Sequence, residues 1–361
     1  METITIKDIA RICKVGVTTV SRAMNNHPDI NEETKQMIMK VIEEYHYVPN
    51  NSARNLKRSD SRTIAVLIKG IDNPFFSSMI GVLEHECQEE HYTFLLHRVE
   101  EREDELYVAL ELEKEKKLRG IIFLGGCFTH SEEELRQLKV PFVICTVQMP
   151  EEISKDVYSS VSVDDRLESF RMVDYLCGLG HKRIAIITAW EDDESIGRQR
   201  YEGYESALEK HGLSVEPDLV LPMKEGIKTY SMESGYVVVR EALERGLSFT
   251  ALYAVSDTVA FGACRALLEA GKRIPEDVSV CGFDGIEMSE YYHPSLTTMC
   301  QPKEEMAREA IGLLFGMIKK KRGNEHMLFS ARLMERESTC QVKEKDLLVA
   351  RKKPEKTTRN L

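Results

Sequence analysis

Apolar residues at the start of the chain recur at helical spacing. Ile6, Ile9, Ala10 and Cys13 fall at i, i+3, i+4 and i+7, which predicts one face of a first helix. Thr5 with Asp8 forms a capping-box pattern, with Asp in place of Glu or Gln. After a break at KVG, VTTVSRAMN predicts a second helix that buries Val20, Ala23 and Met24. A third starts at Asn31, with Glu32 and Glu33 in its first turn, where an N-cap and the helix dipole favour them. It buries Met37, Ile38, Val41, Ile42 and Tyr45 and stops before Pro49. Three short helices with a tight turn between the first two make the helix-turn-helix layout, whose second helix enters a DNA major groove.

From residue 62 the period changes. Apolar runs of strand length (63–68, 92–97, 120–125, 142–147, 160–163, 183–189, 251–255 and 278–283) alternate with helix-period segments such as 75–90, 166–179 and 234–245. This alternation predicts an α/β body of parallel sheets with helices on both faces. About ten strands would crowd one sheet, so two are expected.

Composition narrows the class. The chain has 361 residues, 42% of them hydrophobic and 30% charged, enough for sizeable cores in a water-facing protein. No run reaches the ~18 apolar residues of a membrane helix. METITIKDIA has no basic region followed by an apolar stretch, so the expected location is the cytoplasm. Nine cysteines, scattered and without a CxxC pair, read as reduced thiols, most of them in apolar runs. The ten histidines show no metal-ligand spacing. There is no GxSxG, no GxGxxG opening a helix, no phosphate-binding loop and no HExxH. Neither enzyme chemistry, nor a metal, nor a cofactor is expected.

Net charge is −11, which taken alone argues against DNA. Its distribution changes the picture. Residues 1–60 carry 9 Lys+Arg and 8 Asp+Glu, and the remainder carries 40 and 52. A nearly neutral head on an acidic body confines contact with phosphates to the head. Residues 341–361 form a basic tail, expected to be disordered.

IKDIA, TVSRAMN, YVPN and the AxxL that follows it stand in order within residues 4–58 and resemble the DNA-binding head of the lac repressor (LacI/GalR) family. The resemblance continues through DNPFFSSMI, GLGHKRIAII, RYEGYESAL, SDTVAFGACRALLEAGKRIPEDVSVCGFDG, PSLTT and RESTC, covering roughly residues 4–340. Two departures stand out. The family's Gly-Val-Ser turn is Lys14-Val15-Gly16 here, and the Asp-Arg pair often found after the fourth strand is replaced by TVQMPEE.

The resemblance implies an all-α helix-turn-helix head (1–49), a hinge (50–61) and a periplasmic-binding-protein-like body (62–340). The body would have two doubly wound parallel-sheet subdomains, 62–160 with 293–320 and 161–291 with 321–340. It implies a sequence-specific transcriptional regulator, a repressor, that binds a near-palindromic operator as a homodimer. A small effector, a carbohydrate, would control it from the cleft between subdomains. Control by a partner protein is the alternative.

Val17, Thr18 and Arg22 become the base-edge readers. Arginine can donate twice to guanine, and valine or threonine methyls can pack on thymine. Val17 is not needed in the core, because Val15, Val20 and Met24 supply that face. Thr5, Thr19, Ser21, Asn25, Asn31 and Thr34 sit at helix starts and turns, where hydroxyls and amides position a duplex through phosphates or cap the helix. In the hinge, Ala53 and Leu56 form the AxxL element. Leu56 would wedge between base steps in the minor groove, while Arg54, Lys57 and Arg58 meet phosphates.

Ligands in open parallel sheets lie beyond the carboxyl ends of the strands. That rule selects Asp72, Asn73, Phe75, Phe76, Trp190, Arg200 and Asp257. Arg200, three residues before Gly203, and Asp257 also match ligand-contacting positions of the family. A helix N-cap is the competing role for Asp257. Asp164 and Phe283 are further candidates.

Overall fold

A computed structural model describes residues 4–24, 26–45, 47, 62–189 and 196–342. They fall into two compact units, Met1–Ser61 and Arg62–Leu361.

The first unit holds α1 (Ile6–Ile12), α2 (Val17–Met24) and α3 (Glu32–Glu44). Its core is Ile9, Ala10, Cys13, Val20, Ala23 and Ile38, with Val41, Ile42 and Tyr47 packed against it. Two residues expected in this core stand outside it: Met37 is 43% exposed and Tyr45 47%. Met37 lies about 100° round the helix from Ile38, beyond a stripe that Ile38, Val41 and Ile42 already fill. Tyr45 caps α3, and Tyr47 supplies the ring that packs.

The turn between α1 and α2 is a Schellman motif. Val15 N–H donates to the Ala10 carbonyl (3.0 Å) and Lys14 N–H to that of Arg11 (3.2 Å), with Lys14 left-handed at φ 55°. Val15 and Ala10 share the core cluster, which completes the motif's apolar contact. The position that glycine occupies in the family turn is therefore one that demands a left-handed residue, and here lysine takes it.

Among the described residues the second unit contains twelve strands. One six-stranded sheet has the order β2-β1-β3-β4-β5-β11, formed by β1 (Thr63–Lys69), β2 (Thr93–Val99), β3 (Gly120–Leu124), β4 (Phe142–Cys145), β5 (Ser159–Val163) and β11 (His326–Phe329), all parallel. The other has the order β7-β6-β8-β9-β10-β12, formed by β6 (Ile184–Thr188), β7 (Val220–Pro222), β8 (Ala251–Ala254), β9 (Ser279–Asp284), β10 (Thr297–Cys300) and β12 (Arg332–Met334). Only β12 runs antiparallel in it. Both sheets have the doubly wound order, with the strand sequence reversing between β1 and β3 and between β6 and β8.

All eight expected strands are present. β7, β10, β11 and β12, three or four residues each, were too short to stand out as apolar runs. They also correct the subdomain boundaries. β10 pairs in parallel with β9 (Thr297 opposite Cys281), so it belongs to the second sheet and not the first. β11 pairs with β5 (His326 opposite Ser160), so it belongs to the first and not the second. β5 runs to Val163, three residues past the expected end of the first subdomain. The chain thus passes between the sheets three times, after β5, after β10 and after β11. All nine cysteines are free. Among the described residues no helix is long and apolar enough to cross a membrane.

Candidate functional site

In the head, Gly16 opens α2, its carbonyl accepting from Thr19 N–H (2.9 Å) and Val20 N–H (3.2 Å). This fixes the helix so that Val20 and Ala23 turn inward while Val17, Thr18, Ser21 and Arg22 are exposed. Val17 is 40% exposed and stands outside the core cluster, which leaves its methyls accessible to a base edge. Thr19 is half-buried. Two of the expected phosphate-contacting residues already have structural work. Asn31 caps α3 by accepting from Glu33 N–H (2.8 Å) and Thr34 N–H (3.3 Å). Thr5 donates its hydroxyl (2.6 Å) and its N–H (3.0 Å) to Asp8. Thr34 is half-buried at the start of α3. Asn25, Ala53, Arg54, Leu56, Lys57 and Arg58 lie outside the described residues, as does Trp190 in the body.

In the second unit, a cavity of about 590 Å³ lies at the carboxyl ends of both sheets. Its walls are the loops that follow β1, β2, β3 and β4 on one side and β6, β7, β8, β9 and β10 on the other. The strand-end rule therefore finds the place. Asp72, Asn73, Phe75, Phe76 and Arg200 all reach it. Phe75 and Phe76 begin the helix Phe75–Glu89 with their rings edge to face, planes 67° and centroids 5.1 Å apart, and offer an apolar face.

Opposite them sits a buried charge cluster. Arg200, 2% exposed, projects from the helix Ile196–Lys210. Gly203 allows that helix to press on the helix Asp165–Gly178, because a Cβ there would strike the Arg166 carbonyl oxygen. The close approach brings Arg200 to Asp165 (2.8 Å). The guanidinium also donates to the Val255 carbonyl (2.5 Å), lies 3.7 Å from Asp284 and stacks 3.7 Å above the Phe283 ring. Asp284 in turn accepts from Asn73 Nδ2 (3.3 Å), contributed by the first sheet, and from Gln301 Nε2 (3.0 Å).

Three candidates stand apart from this wall. Asp257 is fully buried behind it, accepting from Ile286 N–H (2.9 Å) and the Thr298 hydroxyl (2.6 Å), and it is Ser256 that both caps the helix Asp257–Glu269 and lines the cavity. Phe283 is beneath Arg200. Asp164 caps the helix Asp165–Gly178 (2.9 Å to Leu167 N–H) and lines an adjoining cavity. Asp284, Ser256, Gln301 and Asp165 were missed. A strand read one residue longer, to Asp284, would have selected it by the same rule.

Burial sets the electrostatics. It pushes the Asp257 carboxyl up to about 8, aided by the neighbouring Asp284 charge and opposed by the Thr298 and Ile286 hydrogen bonds. It pushes Asp165 up to about 6 against the pull of Arg200, and raises Asp284 against Arg200, Asn73 and Gln301. Two carboxyls, Asp165 and Asp284, share one guanidinium, so the cluster is poor in donors relative to acceptors. A ligand rich in hydroxyl donors suits it.

Both ends of the chain match known profiles. Residues 5–50 match that described as bacterial regulatory proteins, lacI family, and residues 173–339 match that described as a periplasmic binding protein-like domain. The HTH-type transcriptional regulator MalR of Clostridium butyricum is 36% identical over 92% of this chain and 98% of its own length. The chain belongs to the lacI family of bacterial regulatory proteins. The HTH-type transcriptional repressor CytR of Escherichia coli K12 is 32% identical over 92% of this chain and 93% of its own. A LacI-family regulator of Enterococcus faecium, solved with bound ribose, is 30% identical, covers 78% of this chain and 100% of its own, and superposes with a TM-score of 0.66. As a member of this family the chain is a DNA-binding transcriptional repressor, with a body of the ligand-sensing type.

Proposed function

We propose that this lacI-family repressor binds a near-palindromic operator as a homodimer, reads base edges with Val17, Thr18 and Arg22, and is controlled by a neutral carbohydrate in the cleft. The observation that carries the reading is the composition of the cleft wall. Arg200, Asp284 and Asn73 offer charge-assisted bonds to hydroxyls, while Phe75 and Phe76 present the apolar face that a sugar ring packs against.

Control follows from where these groups originate. Asn73 comes from the first sheet, and Asp284 and Arg200 from the second. Two further contacts span the same gap, Lys228 to Asp72 and Thr229 to Glu101. A ligand bonded to both sides favours the closed arrangement by its difference in affinity for closed and open forms. An exposed apolar patch supports the homodimer. Phe261, Arg265 and Leu268 share one face of the helix Asp257–Glu269, Tyr292 packs on Phe261 (4.8 Å), and Leu268, Met288 and Tyr291 are 44%, 50% and 76% exposed. In the hinge, Leu56 acts as the minor-groove wedge, with Arg54 and Lys57 at phosphates.

The test selects the operator from a random duplex library with the full chain, then measures affinity by fluorescence anisotropy. Arg22→Ala is expected to cost about 1–3 kcal/mol at one base position and to relax preference there. Leu56→Ala is expected to weaken specific binding far more than non-specific binding. A uniform loss across all sequences for Arg22→Ala would make that residue a phosphate contact and overturn its role as a reader.

A further inference from the structure

A second cavity, of about 450 Å³, adjoins the first. Gly126, Cys127, Val147 and Ile196 border both, so the two form one space with a waist at these residues. Each compartment alone falls in the ~300–1,000 Å³ range that holds a whole small ligand. The inner compartment suffices for one sugar ring, and the outer one is surplus to that need.

The outer walls differ in chemistry from the inner. Gln148 follows β4, Asp164 follows β5, and Gln199 and Glu202 lie on the first turns of the helix Ile196–Lys210. Its polar groups are amides and charges set among apolar residues, and no phenylalanine pair is present to take a bare apolar face. Glu151, Asp164 and Glu202 outnumber Arg166 on the lining, which disfavours an anion. Gln148 Nε2 donates to the Val163 carbonyl (3.0 Å), which ties its amide to the strand. Gln199 is different: its Oε1 is buried and has no hydrogen-bond partner among the described residues. Such an orphaned acceptor costs about 1–3 kcal/mol and calls for a donor from outside the chain. On the same helix, one position further on, Arg200 faces the inner compartment.

We infer that the effector contains at least two linked polyhydroxylated rings, the first against Arg200, Asp284 and Phe76 and the second in the outer compartment, where the Gln199 side chain turns its amide to accept one of its hydroxyls. Gln199 is then a specificity-determining residue that separates oligosaccharides from monosaccharides. This inference rests on the carbohydrate reading of the cleft.

The experiment is calorimetric titration of the full chain with glucose, galactose, ribose, maltose, cellobiose, lactose and maltotriose. A disaccharide or trisaccharide is expected to bind at least ten-fold more tightly than its component monosaccharides. Gln199→Ala is expected to erode that margin several-fold. Gln199→Trp, which fills the outer compartment, is expected to abolish it, with the melting temperature and operator binding of the variant read alongside to show that it folds. A monosaccharide that binds as tightly as the best oligosaccharide, or an oligosaccharide unaffected by Gln199→Trp, would overturn the two-ring inference and leave the carbohydrate reading standing. Absence of heat from every sugar would overturn the carbohydrate reading itself, and the inference with it.

Discussion

In the head, Val17, Thr18 and Arg22 stand exposed on a scaffold of six buried residues. In the cleft, the groups that meet the ligand are themselves part of the core: Arg200 is 2% exposed, Asp284 3%, and both are bonded to neighbours that are equally buried. The head can therefore change its readers without changing its fold. The cleft cannot change its central cation without disturbing what holds the two helices and three strand ends around it. Function is separable from stability in one region and coupled to it in the other.

The strongest way to break this comparison is to remove Arg200. Arg200→Ala leaves Asp165 and Asp284 without their cation in a buried site, and loss of one partner of such a cluster costs about 3–5 kcal/mol. Thermal denaturation should show the body melting far below the parent protein, whereas Arg22→Ala or Val17→Ala should leave melting unmoved. Equal, small effects in both regions would mean that the cluster is solvated and that the contrast is false.

The same contrast decides what could be read from the sequence. The head's helices all lie within residues 4–47, so its period, caps and exposed Val17 and Arg22 are legible in one segment. Where the reading failed there, it failed by one position at Met37 against Ile38 and by two at Tyr45 against Tyr47. The cleft joins Asn73 to Asp284, 211 residues apart, and no local pattern reports that pairing. The strand-end rule named loops that line the cavity, Arg200, Asn73, Phe75 and Phe76 among them. It selected Asp257, whereas Ser256 lines the cavity; both follow β8, and the placement of the helix start shows which of the two faces it. Asp165 was invisible for a related reason. It reads as a helix-start carboxylate, and the close helix approach at Gly203 is what turns it toward Arg200.

A milder perturbation exploits the pH response of the cluster. Asp257 has its carboxyl raised to about 8, from an unfolded value near 4. Between those limits the unfolded chain releases the proton and the folded chain keeps it. Stability contributed by this group is therefore fully present below pH 4 and is lost as pH rises toward 8. The slope for one group is at most about 1.4 kcal/mol per pH unit. Asp165 adds a shorter segment, up to about pH 6. Denaturant titrations from pH 5 to 8 should show falling stability, and Asp257→Asn, which cannot ionise, should flatten the upper part of that window. An unchanged slope would move the buried proton to another carboxyl of the cluster.

In the head, the next test concerns the α1–α2 turn. Lys14 holds a left-handed conformation at φ 55°, which costs an L-residue with a Cβ about 1 kcal/mol relative to glycine. Lys14→Gly should raise the opening free energy of the head by about that amount, read from hydrogen exchange of the α1 and α2 amides in the full chain. The body's exchange should not respond. A head that becomes less protected would mean that the lysine side chain contributes more than its backbone strain removes.

The smallest effect should come from Gly16→Ser, and it tests whether the head's readers are as independent of its fold as the comparison holds. Gly16 is not in the left-handed region, and a Cβ added there meets only Thr18 Oγ1 at 3.5 Å and Thr19 Oγ1 at 3.7 Å, which are ordinary contacts. A serine hydroxyl can cap α2 where glycine cannot, for a gain of a few tenths of a kcal/mol. The same hydroxyl stands at the helix start, where phosphate oxygens are bound by backbone N–H groups. If the head is a rigid presenter, Gly16→Ser should tighten specific and non-specific DNA equally, with base preference at each operator position unaltered. A change in base preference would show that the turn sets the angle at which Val17, Thr18 and Arg22 meet the groove. The head would then share the cleft's coupling of site to scaffold, through a single backbone position instead of a buried charge.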